Sequence, residues 1–187
     1  MVKLLKDRCL FKLLEKADAD LAAEAEAEGC DYCGEEKLHH GDYPRKPRGG
    51  PEWDKRRSFC CAQEDCRRRK TPPSVRFLGR KVYMGVVVVL VSAMVHGLKD
   101  RRVERLRDEL GVSERTLGRW RAWWLENFAA SPFWKTARAR FMPRLDETRL
   151  PLTLVEAFAA QRREGLIRLL GFIVPITVPA WKGVAAM

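Results

Sequence analysis

The first fifteen residues lack an uninterrupted apolar core, because Lys6, Asp7, Arg8 and Lys12 break up the leucines. That speaks against a secretory signal, and hence against an oxidising compartment in which six cysteines would form three disulfides. A cytoplasmic protein is the expectation, with its cysteines free for metal. A membrane span is also lacking. The most apolar stretch, Val82 to Val95, falls short of the ~18 to 20 residues a crossing helix needs and stops at His96 and Lys99. It reads as one helix buried around most of its circumference. Acidic residues are in deficit, 25 against 36 Lys and Arg, leaving a net charge of +11 and a sequence pI near 9.7. Such a balance points to a polyanionic partner, nucleic acid ahead of an anionic membrane surface. The excess lies in the middle of the chain. Residues 30–83 hold 14 basic against 8 acidic groups and residues 84–150 hold 13 against 8, while residues 1–29 are net acidic. Disorder is disfavoured as well, since 46% of the 187 residues are hydrophobic, and that length allows one domain or two small ones.

What is present is two pairs of cysteines. Cys30-Asp31-Tyr32-Cys33-Gly34 has the two-residue gap that turns two sulfurs toward one point, with Gly34 supplying backbone freedom. Cys61-Ala62-Gln63-Glu64-Asp65-Cys66 has a four-residue gap, still within the range of zinc knuckles. Four thiolates so placed make the tetrahedral set of a structural zinc, and Cys30, Cys33, Cys61 and Cys66 are the expected ligands. Cys60 competes with Cys61. If residues 58–61 form a strand, Phe59 and Cys61 share its inner face and Cys60 points away. His39 and His40 are further alternatives. A redox reading of Cys30 and Cys33 would need a strand before them and a helix after, but an acidic Ala/Glu helix precedes them and a polar loop follows. Cys9 falls in an apolar stripe and reads as a small buried hydrophobe.

Around the knuckles, leucines from Leu4 to Leu14 recur at helical spacing, and Asp18 or Asp20 is expected to cap a second helix running to about Glu28. Glu24, Glu26 and Glu28 read as a solvated face. The 27 residues between Cys33 and Cys61 include a Pro- and Gly-rich insert, residues 38–51, expected to be a loop or extended arm. Its cations Arg45, Lys46 and Arg48, spaced by prolines, could follow a phosphate track or enter a minor groove. Arg67 and Arg68, in the tetrad running to Lys70 beside the second knuckle, are likewise placed to hold phosphates.

A second pattern begins at Val103. Leu106 and Leu110 make the inner stripe of one helix, Gly111 permits a sharp turn, Val112 fills the angle, and Ser113 caps a second helix whose inner stripe is Leu117, Trp120 and Trp124. This is the helix-turn-helix spacing, in which the start of the second helix enters the major groove. The outward positions are Glu114, Arg115, Gly118 and Arg119, with Thr116 beside them. Arg115 and Arg119 are suited to bidentate reading of guanine, and Ser113 and Thr116 to a phosphate or base edge. Farther on, Ser131-Pro132 starts a short helix that Pro143 ends. Thr153 and Glu156 read as a capping box for an amphipathic helix to Gly171, and an extended apolar tail from Phe172 to Trp181 follows.

The order of a Cys-x-x-Cys knuckle, an aromatic-led second knuckle with basic residues behind it, an apolar helix and Leu-Gly-Val-Ser-x-x-Thr-Leu-x-x-Trp resembles the zinc-ribbon and helix-turn-helix front end of bacterial insertion-sequence transposases. The resemblance covers about residues 30–128. It implies a DNA-recognition protein or transposon accessory factor that binds zinc and double-stranded DNA, with a transposase or a second copy as partner. It does not extend to catalysis, because the acidic triad of such enzymes sits on an RNase H-like domain for which this chain has neither room nor strand pattern. The expected fold class is mainly α with a small β zinc ribbon, comprising a helix-turn-helix trihelical unit plus flanking helices. The expected segments are 1–28 N-terminal helices, 29–80 zinc ribbon with basic insert, 81–129 helix-turn-helix, and 130–187 C-terminal helical region with apolar tail. Two rival readings are a protein-interaction module with a structural zinc, and a zinc enzyme using Glu35 or Asp65.

Overall fold

The apolar stripe from Leu10 to Leu14 and the Ala/Glu run behind it make one continuous helix, α1 (Arg8–Ala27), while Leu4 and Leu5 lie in a 3-10 turn before it (Val2–Lys6), in a computed structural model that describes residues 2–44, 55–78, 83–95, 104, 108 and 111–178. Asp7 caps it, its carboxylate accepting from the Cys9 and Leu10 N–H groups at 3.0 and 3.1 Å. The expected break at Asp18 or Asp20 does not occur. Asp18 instead falls in register with Leu10, Leu14, Ala22 and Ala25 on the buried face, which puts a carboxylate inside the core. A buried charge of this kind needs partners. It accepts from Ser74 Oγ at 2.6 Å, the Val75 N–H at 2.7 Å and Arg76 Nε at 2.8 Å, tying the segment before Phe77 to α1.

The chain then forms a three-stranded antiparallel sheet from β1 (Leu38–His40), β4 (Phe59–Cys61) and β5 (Arg69–Lys70), with β4 central. Leu38 faces Cys61, His40 faces Phe59, and Phe59 faces Lys70. Alternation along β4 turns Phe59 and Cys61 inward, where they join Ala22, Cys30 and Leu38 in one apolar cluster with Cys66 against it. The insert expected as a loop therefore starts as a strand, because Leu38 has a core to enter. It continues as a second ladder in which β2 (Tyr43–Pro44) pairs with β3 (Lys55–Arg56). Asp42 steadies this arm by accepting from Arg57 at 2.9 Å and from the Ser58 N–H at 3.0 Å. A short pair of β6 (Phe77–Leu78) and β7 (Tyr83–Met84) follows.

The valine run forms α2 (Gly85–Val95), in which Val86 to Val91 and Ala93 are all buried. Beyond it lie α3 (Glu114–Ala122), a wider π-helical turn at Trp123–Phe128, and α4 (Pro132–Ala137) capped by Ser131. Aromatic rings hold this half together. Phe128 packs on Trp124 and Trp134 with centroids 4.9 and 5.1 Å apart, and Phe141, Phe158 and Phe172 meet one another at 5.2 to 5.9 Å.

The C-terminal part departs from the single helix expected. It divides into α5 (Leu152–Ala157) and α6 (Arg163–Ile173), separated by a turn in which Ala159 takes φ 51. No capping box forms, since Thr153 is buried and donates its hydroxyl to the Asp146 carbonyl at 3.2 Å. Gly165 explains the break: a Cβ there would collide with the carbonyl oxygens of Phe158 and Ala159, so its absence lets the second helix fold back on the turn. Phe172 and Ile173 lie within α6, and Val174–Thr177 forms one 3-10 turn where an extended tail was expected.

The described residues are mainly helical with one small three-stranded antiparallel sheet. They divide into two compact units, one of Asp7–Tyr83 with the stretch from Ile173, the other principally of Met84–Phe172. Among them no helix is long and apolar enough to cross a membrane.

Candidate metal centre

The end of α1 delivers Cys30 to the first knuckle through Gly29, which has φ +71 and whose added Cβ would lie 2.7 Å from the Glu35 carbonyl oxygen. Only glycine fits that approach. Two reciprocal bonds close the loop, from the Cys30 N–H to the Glu35 carbonyl at 2.8 Å and from the Gly34 N–H to the Cys30 carbonyl at 3.0 Å. In the second knuckle the N–H groups of Cys66 and Arg67 both donate to the Gln63 carbonyl, at 3.1 and 3.0 Å. The Cys61 N–H donates to the Arg68 carbonyl at 2.9 Å.

These turns bring the four sulfurs of Cys30, Cys33, Cys61 and Cys66 within 4.8 Å of one another. Cys30 Sγ lies 3.8 Å from Cys66 Sγ, and Cys33 Sγ lies 3.5 Å from Cys61 Sγ. All are free thiols. A tetrahedron with metal–sulfur bonds of ~2.3 Å has edges of roughly 3.8 Å, so a metal ion of that radius fits the cage. Cys60 faces away, its thiol 3.4 Å from the Arg67 carbonyl. His39 and His40 are exposed, and His40 Nε2 lies 3.6 Å from a Glu26 carboxylate rather than at the cage.

The thiols do not share their protons equally. Burial pushes Cys30 up, but the backbone N–H groups of Cys33 and Tyr32 and the thiols of Cys33 and Cys66 outweigh it and lower Cys30 to about 7. At Cys33 the Glu35 backbone bond favours the thiolate, yet burial and the neighbouring sulfurs of Cys66 and Cys30 leave it raised. Cys61 is pushed up to about 12, chiefly by burial and then by the sulfurs around it. One thiolate forms readily and the next resist, first because burial disfavours a charged sulfur and then because further negative charge in the same small volume repels the first. A cation removes that resistance.

Around the cage, Lys70 is drawn into an acidic bracket, with Asp31 at 2.9 Å and Glu28 at 3.0 Å. Its burial favours the neutral amine, but the bonds to Asp31 and Glu28 prevail and keep its pKa raised. Sequence pattern assigned Glu28 to a solvated face and gave Asp31 no part, although a carboxylate inside a knuckle facing a cationic strand was the available signal. Arg67 and Arg68 are exposed. Arg67 lies 3.8 Å from Glu64, and the Arg68 guanidinium sits 4.2 Å above the ring of Tyr32, itself 55% exposed.

In the other unit, Gly111 has φ +59, Val112 is buried and Ser113 caps α3 by accepting from the Thr116 N–H at 3.3 Å. Leu117, Trp120 and Trp124 are buried, while Ser113, Arg115, Gly118 and Arg119 are exposed. Thr116 differs from the outward role expected of it. It is buried, its hydroxyl engaged with Ser113 Oγ at 2.9 Å and accepting from Arg119 at 3.2 Å, so it braces the helix start and positions Arg119. Glu104 and Asp108 are helical, whereas Leu106, Leu110, Arg45, Lys46 and Arg48 lie outside the described residues. Compared with protein-family models, curated proteins and solved structures, the chain matches none.

Proposed function

We propose that this is a zinc-binding, helix-turn-helix DNA-binding protein that acts in the cytoplasm as a transposon-related recognition or accessory factor. The observation carrying the reading is the pairing of a four-sulfur cage of zinc dimensions with a capped helix that presents Arg115 and Arg119 to solvent behind a glycine turn. Zinc suits the cage because it favours four thiolates in tetrahedral geometry and undergoes no redox change. Its task is structural: with four thiolates bound no coordination position is left for water, which removes the Lewis-acid route that an enzyme would need. Division of labour follows from chemistry. Exposed Arg67 and Arg68, with Arg45, Lys46 and Arg48 of the insert, serve phosphates and add affinity without sequence preference. Arg115 and Arg119 serve base edges, with Ser113 at the helix start holding a phosphate.

Selection from a random duplex pool tests this reading directly. A motif should be enriched by the zinc-loaded protein, and Arg115→Ala or Arg119→Ala should cost ~1 to 3 kcal/mol on that motif and relax one position of it. Arg67→Ala or Arg68→Ala should weaken every duplex alike and lower the salt slope by about one unit. Enrichment of no motif, or a preference unchanged in both helix variants, removes α3 as the reader.

A further inference from the structure

Among the described residues a groove of about 560 Å3 opens between the segment 140–149 and α5, far along the chain from the elements already assigned to DNA. Three arginines line it, Arg140, Arg144 and Arg149, together with the carboxylates Asp146 and Glu156. The cations of this segment fall into two kinds. Arg138 is paired with Glu147 at 2.8 Å and Arg149 with Glu156 at 3.4 Å, but Arg140 and Arg144 make no ion pair among the described residues. Asp146 is occupied within its own turn, accepting from the Thr148 N–H at 2.9 Å and hydroxyl at 2.6 Å. Among the described lining residues Arg149 is thus matched by Glu156, and Arg140 and Arg144 are the two guanidinium groups with no ion pair.

The groove is also held in shape. Phe141 anchors one wall through its ring contacts with Trp134, Phe158 and Phe172, and Thr153 of α5 bonds the Asp146 carbonyl at 3.2 Å. A fixed site loses less entropy on binding than a loop that must first order. Its cations are all arginines, whose planar forks match two oxygens of one phosphate better than the point charge of lysine does.

We propose that the Arg140–Arg144–Arg149 groove seats a phosphodiester of a DNA backbone, giving the protein a phosphate contact independent of the zinc unit and of α3. This rests on the DNA-binding reading above. Arg140 and Arg144 donate to the phosphodiester, and Arg149 is held in place by Glu156. Sequence preference is not its task, since phosphate contacts fix register and carry no base information.

The test compares duplex binding across a salt series for the zinc-loaded wild type, the double variant Arg140→Gln/Arg144→Gln and the control Arg138→Gln, which removes a neighbouring charge outside the groove. The double variant should lose on the order of tenfold in affinity at ~0.1 M salt, and its slope of log affinity against log salt should fall by about one, the single phosphate seated there. Arg138→Gln should change little. In the wild type, duplex should protect Arg140 and Arg144 from modification by phenylglyoxal, read by mass spectrometry. Unchanged slope and no protection, in a wild type that does bind duplex, overturn the groove and leave the DNA-binding reading standing. A wild type that binds no duplex overturns both. Vesicles of phosphatidylglycerol provide the remaining arm: if the double variant loses vesicle binding but keeps full duplex binding, the phosphate seated is a lipid's and the proposal fails.

Discussion

Gly118 sits in the middle of α3 with open space where a Cβ would point, so nothing in the fold itself requires glycine there. Replacement by alanine should stabilise the free protein by ~0.5 to 1 kcal/mol through helix propensity, seen as a higher unfolding midpoint in urea. The same change should weaken binding to a selected duplex if the helix backbone approaches DNA closely at that point; equal affinity for both proteins would put Gly118 away from the interface. Asp18 makes the reverse case. It and Arg76 are both almost wholly buried, so Asp18→Asn breaks a buried ion pair at Arg76 Nε and should cost ~3 to 5 kcal/mol of stability by denaturant unfolding. Sequence pattern alone misplaces this residue, because an aspartate between two helical runs also reads as a cap. Its position four residues after Leu14 and four before Ala22 was the legible sign of burial. What the sequence could not display was Arg76, 58 positions away.

The knuckles were legible for a different reason: the gap between two cysteines in a turn fixes where both sulfurs can point, and strand alternation selects Cys61 over Cys60. Metal analysis should find one zinc in Cys60→Ser and a loss of zinc in Cys61→Ser; retention in the latter would reassign the ligand. Acid dependence follows from the thiol chemistry. In the metal-free cage Cys61, at about 12, and Cys33, which is raised, hold their protons at neutral pH, and zinc must expel them. Uptake should therefore release on the order of two protons or more, and affinity should fall about a hundredfold or more for each unit the pH drops. Competition titrations against a chelator at pH 7 and pH 8 measure it, and equal affinity at both would contradict the raised Cys33 and Cys61 thiols. The C-terminal helices were less legible. The contacts that place them join Phe133, Phe141, Phe158 and Phe172 across irregular sequence gaps, and no short-range period records such packing.

The whole molecule distributes its stabilising forces unevenly. The unit of Asp7–Tyr83 contains the sulfur cage and a small apolar cluster, whereas the other contains the valine helix and the aromatic ladder. Chelation should therefore raise amide exchange in residues 30–78 well before residues 85–95 and 114–172 respond, as read by mass spectrometry after digestion. Uniform exposure of both would mean that one cooperative transition spans the chain. The unit with the cage is also discontinuous. Thr177 belongs to it and accepts a bond from the Ser74 N–H at 3.0 Å, across 103 positions that include the whole of the other unit's principal stretch. On a ribosome, which releases the chain from its N-terminus onward, the four cysteines emerge before Met84–Phe172 and Thr177 are made. The Ser74 bond waits for Thr177, so the knuckles are complete, and able to take an ion, before the unit that contains them can close.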